Sequence, residues 1–111
     1  MSSRRQEQVN SLIQRELGSI LQVELELPLG TLLTISRVVV SPSLEHADIY
    51  ITVLPDKQTK TVLTLLQKNI YHLQKLLNKK LVLKFVPKIR FQIDEGMQAE
   101  NEVNKILDSL N

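Results

Sequence analysis

The hydrophobic period of this chain switches from helical to alternating and back again, twice, and any fold has to absorb each switch. In SSRRQEQVNSLIQRELGSILQVELE, Val9, Leu12, Ile13, Leu17, Ile20 and Leu21 recur at helical intervals behind Ser3 and Gln6 in capping-box spacing, which predicts an amphipathic helix over residues 4–25. Pro28 and Gly30 mark a turn after it. TLLTISRVVVS is rich in β-branched residues and reads as a strand, with Leu33, Ile35, Arg37 and Val39 on one face and Thr34, Ser36, Val38 and Val40 on the other. Beyond the turn residues of SPSLEH, Ala47, Ile49, Ile51 and Val53 alternate with Asp48, Tyr50 and Thr52, so the two strands are expected to pair as an antiparallel hairpin. The helical period then returns, placing Val62, Leu66, Ile70, Leu73 and Leu77 on one side of a long helix. A last alternation sets Leu81, Leu83, Phe85, Ile89, Phe91 and Ile93 against Val82, Lys84, Val86, Lys88, Arg90 and Gln92. Pro87 cannot donate a ladder hydrogen bond, which puts this strand at a sheet edge or gives it a bulge. Ala99, Val103, Ile106, Leu107 and Leu110 share the face of a short closing helix.

This order predicts an α+β fold, a three-stranded sheet covered by helices. A right-handed crossover through the long helix makes the last strand parallel to the second. With 111 residues and 42% hydrophobic content, a single domain over 1–111 is expected, its core spanning about residues 4–95 and its closing helix 96–110. The chain has no cysteine, so a disulfide framework and a thiolate metal site are both excluded. Its apolar runs fall far short of the ~20 residues that cross a bilayer, and SSRRQEQVN lacks the apolar stretch of a secretion signal. A soluble, cytoplasmic, monomeric protein is expected.

The net charge is only +2, yet its distribution is uneven: −1 over residues 1–30, 0 over 31–60, +7 over 61–93 and −4 over 94–111. The seven cations of the basic block are Lys68, Lys75, Lys79, Lys80, Lys84, Lys88 and Arg90, with no acid among them. Lys68, His72, Lys75 and Lys79 fall on a stripe opposite the apolar seam of the long helix, and Lys84, Lys88 and Arg90 on the polar face of the strand that follows. The expectation is one positive field that attracts a polyanion, since such side chains neutralise phosphates and release counterions. Arg4 and Arg5, beside Glu7, are candidate secondary contacts. A solvated charged face is the plainer alternative.

Four blocks, in this order and spacing, resemble the ribosome-binding factor A family. They are V-x-x-x-I-x-x-E-L-x-x-I-L from Val9 to Leu21, T-I-S-R-V-V-V-S from Thr34 to Ser41, A-D-I-Y-I-T-V-L from Ala47 to Leu54, and L-x-L-K-x-x-P-x-I-x-F from Leu81 to Phe91. The resemblance covers about residues 4–95. It implies a KH-like domain of the second type that associates with the small ribosomal subunit and its ribosomal RNA, assists late maturation of that RNA, particularly in the cold, and catalyses nothing. Members of the family usually carry Ala-x-Gly at a kink dividing the long helix, where this chain has Asn69, Ile70 and Tyr71, so a milder or displaced kink is expected. Gln74, Gln8 and Ser43 also replace residues common in the family, an arginine, an arginine and an aspartate respectively. The Gly-x-x-Gly loop of general KH domains is absent.

Aromatic residues are few, so base stacking cannot be extensive. Phe85 and Phe91 are assigned to the core, and Tyr50 to a place under a helix. Tyr71 borders the basic stripe at the family's kink and is a candidate for stacking on a base. His46 and His72 lack a ligand or triad partner at a telling spacing. Asp94 and Glu95 precede the closing helix, where negative charge suits the helix dipole. The three glycines are scattered, which excludes a phosphate-cradling loop of the Walker or dinucleotide type. No catalytic residue, metal site, cofactor, small-molecule substrate or membrane contact is expected. The alternative to an RNA-binding assembly factor is a protein–protein module whose basic face meets an acidic partner.

Overall fold

Ser3 opens the first helix as its spacing predicts. Its hydroxyl accepts from Gln6 N–H at 3.1 Å while the Gln6 side chain accepts from Ser3 N–H at 2.8 Å, pairing two of the amides that a helix start leaves without partners. The computed structural model describes residues 2–101. In chain order it has α1 (Arg4–Glu24), β1 (Leu32–Val40), β2 (His46–Leu54), a short 3₁₀ turn (Asp56–Gln58), α2 (Thr59–Lys68), α3 (Ile70–Lys80) and β3 (Lys88–Ile93). Residues 95–101 begin the closing helix; Val103, Ile106, Leu107 and Leu110, assigned to its apolar face, lie outside the described residues. Ala99 is exposed, and it is the neighbouring Gln98 that is buried.

The sheet order is β1-β2-β3, with β1 antiparallel and β3 parallel to β2, as the crossover argument requires. A bulge between Ile35 and Arg37 corrects the expected phase of β1. Ser36 is the extra residue, and beyond it the side chains change faces. Leu33 and Ile35 oppose Val53 and Ile51, after which Val38 and Val40, not Arg37 and Val39, oppose Ile49 and Ala47. Without the bulge, Arg37 would point into the core and Val38 and Val40 into solvent. One sheet face, with Ala47, Ile49, Ile51, Val53, Ile89 and Phe91, packs against Val9, Ile13, Leu17, Val62, Leu66, Leu73 and Leu77 of the helices. Helices α1, α2 and α3 therefore cover that face, while the closing helix reaches the edge of the opposite one beside Thr34 and Thr52. That opposite face carries Arg37, Asp48, Tyr50, Arg90 and Gln92, so Tyr50 does not lie under a helix; its ring stacks with the Arg37 guanidinium, 3.9 Å from the centroid.

The long helix is divided at Asn69, the first residue of the Asn69 to Tyr71 segment where the resemblance implies a kink. Asn69 has φ −102° and ψ 11°, a conformation open to residues other than glycine, and its side-chain amide donates to Leu65 O at 2.8 Å. A kink is thus made here without a glycine.

Both sheet edges are closed by side-chain amides from the helices. On the outer edge of β1, Asn10 Oδ1 accepts from Val40 N–H (2.8 Å), Gln6 Nε2 donates to Val40 O (3.2 Å) and Gln14 Nε2 donates to Ile35 O (3.2 Å). Gln74 does the same for β3, accepting from Ile89 N–H at 2.9 Å and donating to Pro87 O at 3.1 Å. These amides occupy backbone groups that would otherwise template pairing with another chain. Removing one leaves a half-buried donor unpaired, so Gln74→Ala and Asn10→Ala should each cost about 1–2 kcal/mol in denaturant unfolding. Gln8→Ala, on an exposed helix position, is the control and should be near neutral.

Candidate nucleic-acid interface

The amide contacts also fix the direction of α1. Gln6 and Asn10 lie at the end of β1 and Gln14 nearer its middle, so α1 runs antiparallel to β1 and its N-terminus meets the β1–β2 loop. At the other end of α1, Glu24 meets His72 at the start of α3, carboxylate to Nε2 3.1 Å. The partner that sequence spacing did not give His72 is thus supplied by the packing of α3 against α1. Lys79 and Lys80 stand in the last turn of α3, whereas Arg4 and Arg5 open α1, about 30 Å from Glu24 along a 21-residue helix.

Residues 81–87 connect α3 to β3. Sequence alternation assigned them to a strand, but β3 begins only at Lys88. The reason lies in the partner strand. β2 starts at His46, which pairs with Lys88, and one residue earlier the backbone contact ends with Lys88 N–H donating to Glu45 O at 2.9 Å. Upstream of Pro87, which has no N–H to donate, there is no strand to pair with. The connector therefore crosses the end of the molecule, burying Leu81 and Pro87 but leaving Val82 and Phe85 exposed, the latter at 78%. Phe85 is not a core residue; Phe91 is.

A concavity of about 700 Å³ lies between these elements, lined by Arg5 and Val9 of α1, Ser43 to His46 of the hairpin loop, and Leu83 to Lys88 of the connector. The loop is held by Ser41, whose hydroxyl accepts from the N–H groups of Glu45 and His46 at 3.2 Å each. Leu44 takes φ 62°, a left-handed conformation that costs a residue other than glycine roughly 1–2 kcal/mol, and its side chain packs on the core.

The expected single positive field is divided. Arg5, Lys84 and Lys88 come together at the concavity, where Glu45 is the one acid in the lining; Arg4 adjoins Arg5 in the first turn of α1, and Lys79 and Lys80 end α3. Lys75 and Lys68 continue the exposed stripe along the helical layer toward the opposite end, with Tyr71 between them, 89% exposed and so not a packing residue. Arg90 lies on the open sheet face, turned away from the helices, and its guanidinium holds Asp48 at 3.0 Å. Among the described residues, none of the six lysines of the basic block nor Arg4 or Arg5 forms an ion pair. Gln74 faces the β3 edge and closes it. Sequence reasoning missed the hairpin residues Ser43 to His46 as part of this surface, and only the chain direction of β2 brings them to the cations.

Asp94 does more than suit a helix dipole. Its carboxylate accepts from the Ser36 hydroxyl at 2.7 Å, from Met97 N–H at 3.3 Å and from Arg37 Nε at 3.3 Å, tying the bulge of β1 to the closing helix. Gln98 then mimics a strand residue, accepting from Val53 N–H at 2.8 Å and donating to Val53 O at 2.6 Å. The Ser36 hydrogen bond, helped by Met97 N–H and Arg37 and opposed by burial, holds the Asp94 carboxyl below the usual aspartate range. Asp94 stays ionised in the fold to a lower pH than in the unfolded chain. It therefore stabilises fully above its unfolded pKa of about 3.9, and that contribution disappears as pH falls through the lower folded value. Urea midpoints measured between pH 7 and pH 3 should fall less steeply for Asp94→Asn than for the parent.

The ribosome-binding factor A family model matches residues 5–107. Ribosome-binding factor A of Nitrosococcus oceani is 33% identical over 105 residues, 94% of this chain and 83% of that protein. The factor of Dinoroseobacter shibae is 36% identical over 108 residues, 95% of this chain and 80% of that protein. Among solved structures, the crystal structure of ribosome-binding factor A from Thermus thermophilus superposes with a TM-score of 0.70 at 18% identity, covering 79% of this chain and 94% of that one. The solution structure of a Thermotoga maritima protein described as a putative ribosome binding factor A gives 0.68 at 27%, covering 83% and 89%. A homology model of the Thermus thermophilus factor, fitted into the cryo-electron-microscopy map of its 30S complex, gives 0.66 at 21%, covering 83% and 93%.

Proposed function

Because this chain belongs to the ribosome-binding factor A family, we propose that it binds the small ribosomal subunit through ribosomal RNA and assists late maturation of that RNA, with growth in the cold depending on it most. The observation that carries this reading is the concavity beside the start of α1, where Arg5, Lys84 and Lys88 come together from two distant stretches of chain, free of ion pairs among the described residues. Lysines so placed meet phosphates at little cost, because no carboxylate has to be displaced first. The complex formed by the structural relative with 30S supports the choice of partner.

In this reading Lys79, Lys80, Lys84, Lys88 and Arg5 make the principal phosphate contacts, and Arg4 flanks them. Lys75, Lys68 and Tyr71 extend the footprint along the helical layer. Arg90 contributes least, since contact with RNA competes with Asp48. The chain acts as a cytoplasmic, single-domain monomer, by binding and without catalysis.

Sedimentation tests the reading. The tagged protein should travel with free small subunits and be absent from mature paired ribosomes, and rising salt should release it. Equal distribution over both fractions, or retention independent of salt, would reject an RNA-directed small-subunit factor. Retention by an acidic protein partner in place of RNA would favour a protein–protein module.

A further inference from the structure

Phe85 is a large apolar side chain held in solvent by a connector whose neighbours Leu81 and Pro87 are buried, and it stands beside the cations of the concavity. Lys84 Nζ is 5.7 Å from its ring centroid, and Arg5, His46 and Lys88 line the same concavity, with Glu45 its one acid. An aromatic plane flanked by ammonium and guanidinium groups matches what an unstacked nucleotide presents, a flat base between two phosphates. A paired base offers no such face, because both of its own are covered by its neighbours in the helix.

Resting on the RNA-binding reading above, we propose that Phe85 is a stacking platform for an unpaired base, with Arg5, Lys84 and Lys88 holding the adjoining phosphates, so that this end of the protein selects single-stranded RNA over duplex. Charge decides between RNA and a protein as occupant. A patch meant for a protein anchor needs no surrounding cations, whereas here α1, the connector and the start of β3 supply one each around one ring. The platform is fixed in place, since the connector is pinned by Gln74 to Pro87 O and by Glu45 O to Lys88 N–H.

The test uses the whole chain, an oligoadenylate on the order of ten nucleotides long, and a blunt RNA duplex of the same length. Phe85→Ala and Phe85→Leu should each weaken oligoadenylate binding about tenfold while leaving duplex binding and the thermal midpoint unchanged. Phe85→Trp should keep the affinity, and because the chain has no other tryptophan, its emission should be quenched by the oligoadenylate and not by the duplex. Unchanged oligoadenylate affinity in Phe85→Ala, or unquenched emission in Phe85→Trp at saturation, would overturn the platform. So would a Phe85→Ala protein that loses small-subunit binding but keeps oligoadenylate binding, which would assign the ring to a ribosomal protein. The double variant Lys84→Glu with Lys88→Glu separates the two readings. If it loses small-subunit binding while Phe85→Ala does not, the platform fails and the RNA-binding reading stands; if it too binds normally, both fail.

Discussion

Leu66→Asp and Leu73→Asp should each abolish the cooperative thermal transition, while Lys75→Ala on the same helical layer shifts the midpoint by no more than a degree or two. Leu66 and Leu73 are wholly buried on either side of the Asn69 break, packed with Ile49, Ile51 and Phe91 in one core. A carboxylate in either position is either buried without a partner or protonated at a large pKa cost, on top of the missing leucine packing, so the penalty should be about 4 kcal/mol or more. That is comparable with the whole stability of a small domain, typically about 5–15 kcal/mol. Lys75 is exposed and makes no ion pair among the described residues, so its truncation removes little. Circular dichroism melts of the three proteins measure the difference directly, and equal midpoints would contradict the packing of α2 and α3 on the sheet.

The second large effect is expected on binding. Lys84→Glu with Lys88→Glu, or Lys75→Glu with Lys79→Glu, should weaken association with small subunits about tenfold or more at low salt. The plot of log affinity against log salt should also flatten by roughly 0.7–0.9 for every phosphate that is no longer neutralised. Lys57 lies in the 3₁₀ turn and Lys60 at the start of α2, both beyond the end of β2 that faces away from the concavity, so reversing that pair is the control. The structure adds an ordering. The Lys84 and Lys88 pair sits with Arg5 around one concavity and should lose most, whereas Arg90→Glu should lose least because Arg90 already spends its guanidinium on Asp48. Equal binding and equal slopes for all of these variants would mean that the cations form only a solvated surface.

Much of the architecture was written in local patterns. Apolar residues at helical or alternating intervals determined the type and order of the elements, because each element has to bury one face, and the order itself made β3 parallel to β2. Ser3 and Gln6 announced their capping box, since both partners lie within one turn of chain. The positions of the cations along α3 and β3 were legible for the same reason. What period cannot encode is the partner. Alternation in β1 is in phase on either side of Ser36 only because β2 selects it, and the bulge that swaps Val38 for Arg37 is a property of the pairing. Residues 81–87 alternate as a strand should, yet they form none because β2 begins at His46 and offers them no ladder. That one boundary turns Phe85 from an expected core residue into an exposed ring, and it carries Lys84 across to Arg5, some eighty positions earlier in the chain. The amides of Gln6, Asn10, Gln14 and Gln74 looked like ordinary polar helix positions, and only the distance to a sheet edge gave them a task. The sequence by itself determined which surfaces are apolar and which charged; the tertiary structure decided which of them meet, because contacts between distant segments depend on where each strand and helix ends.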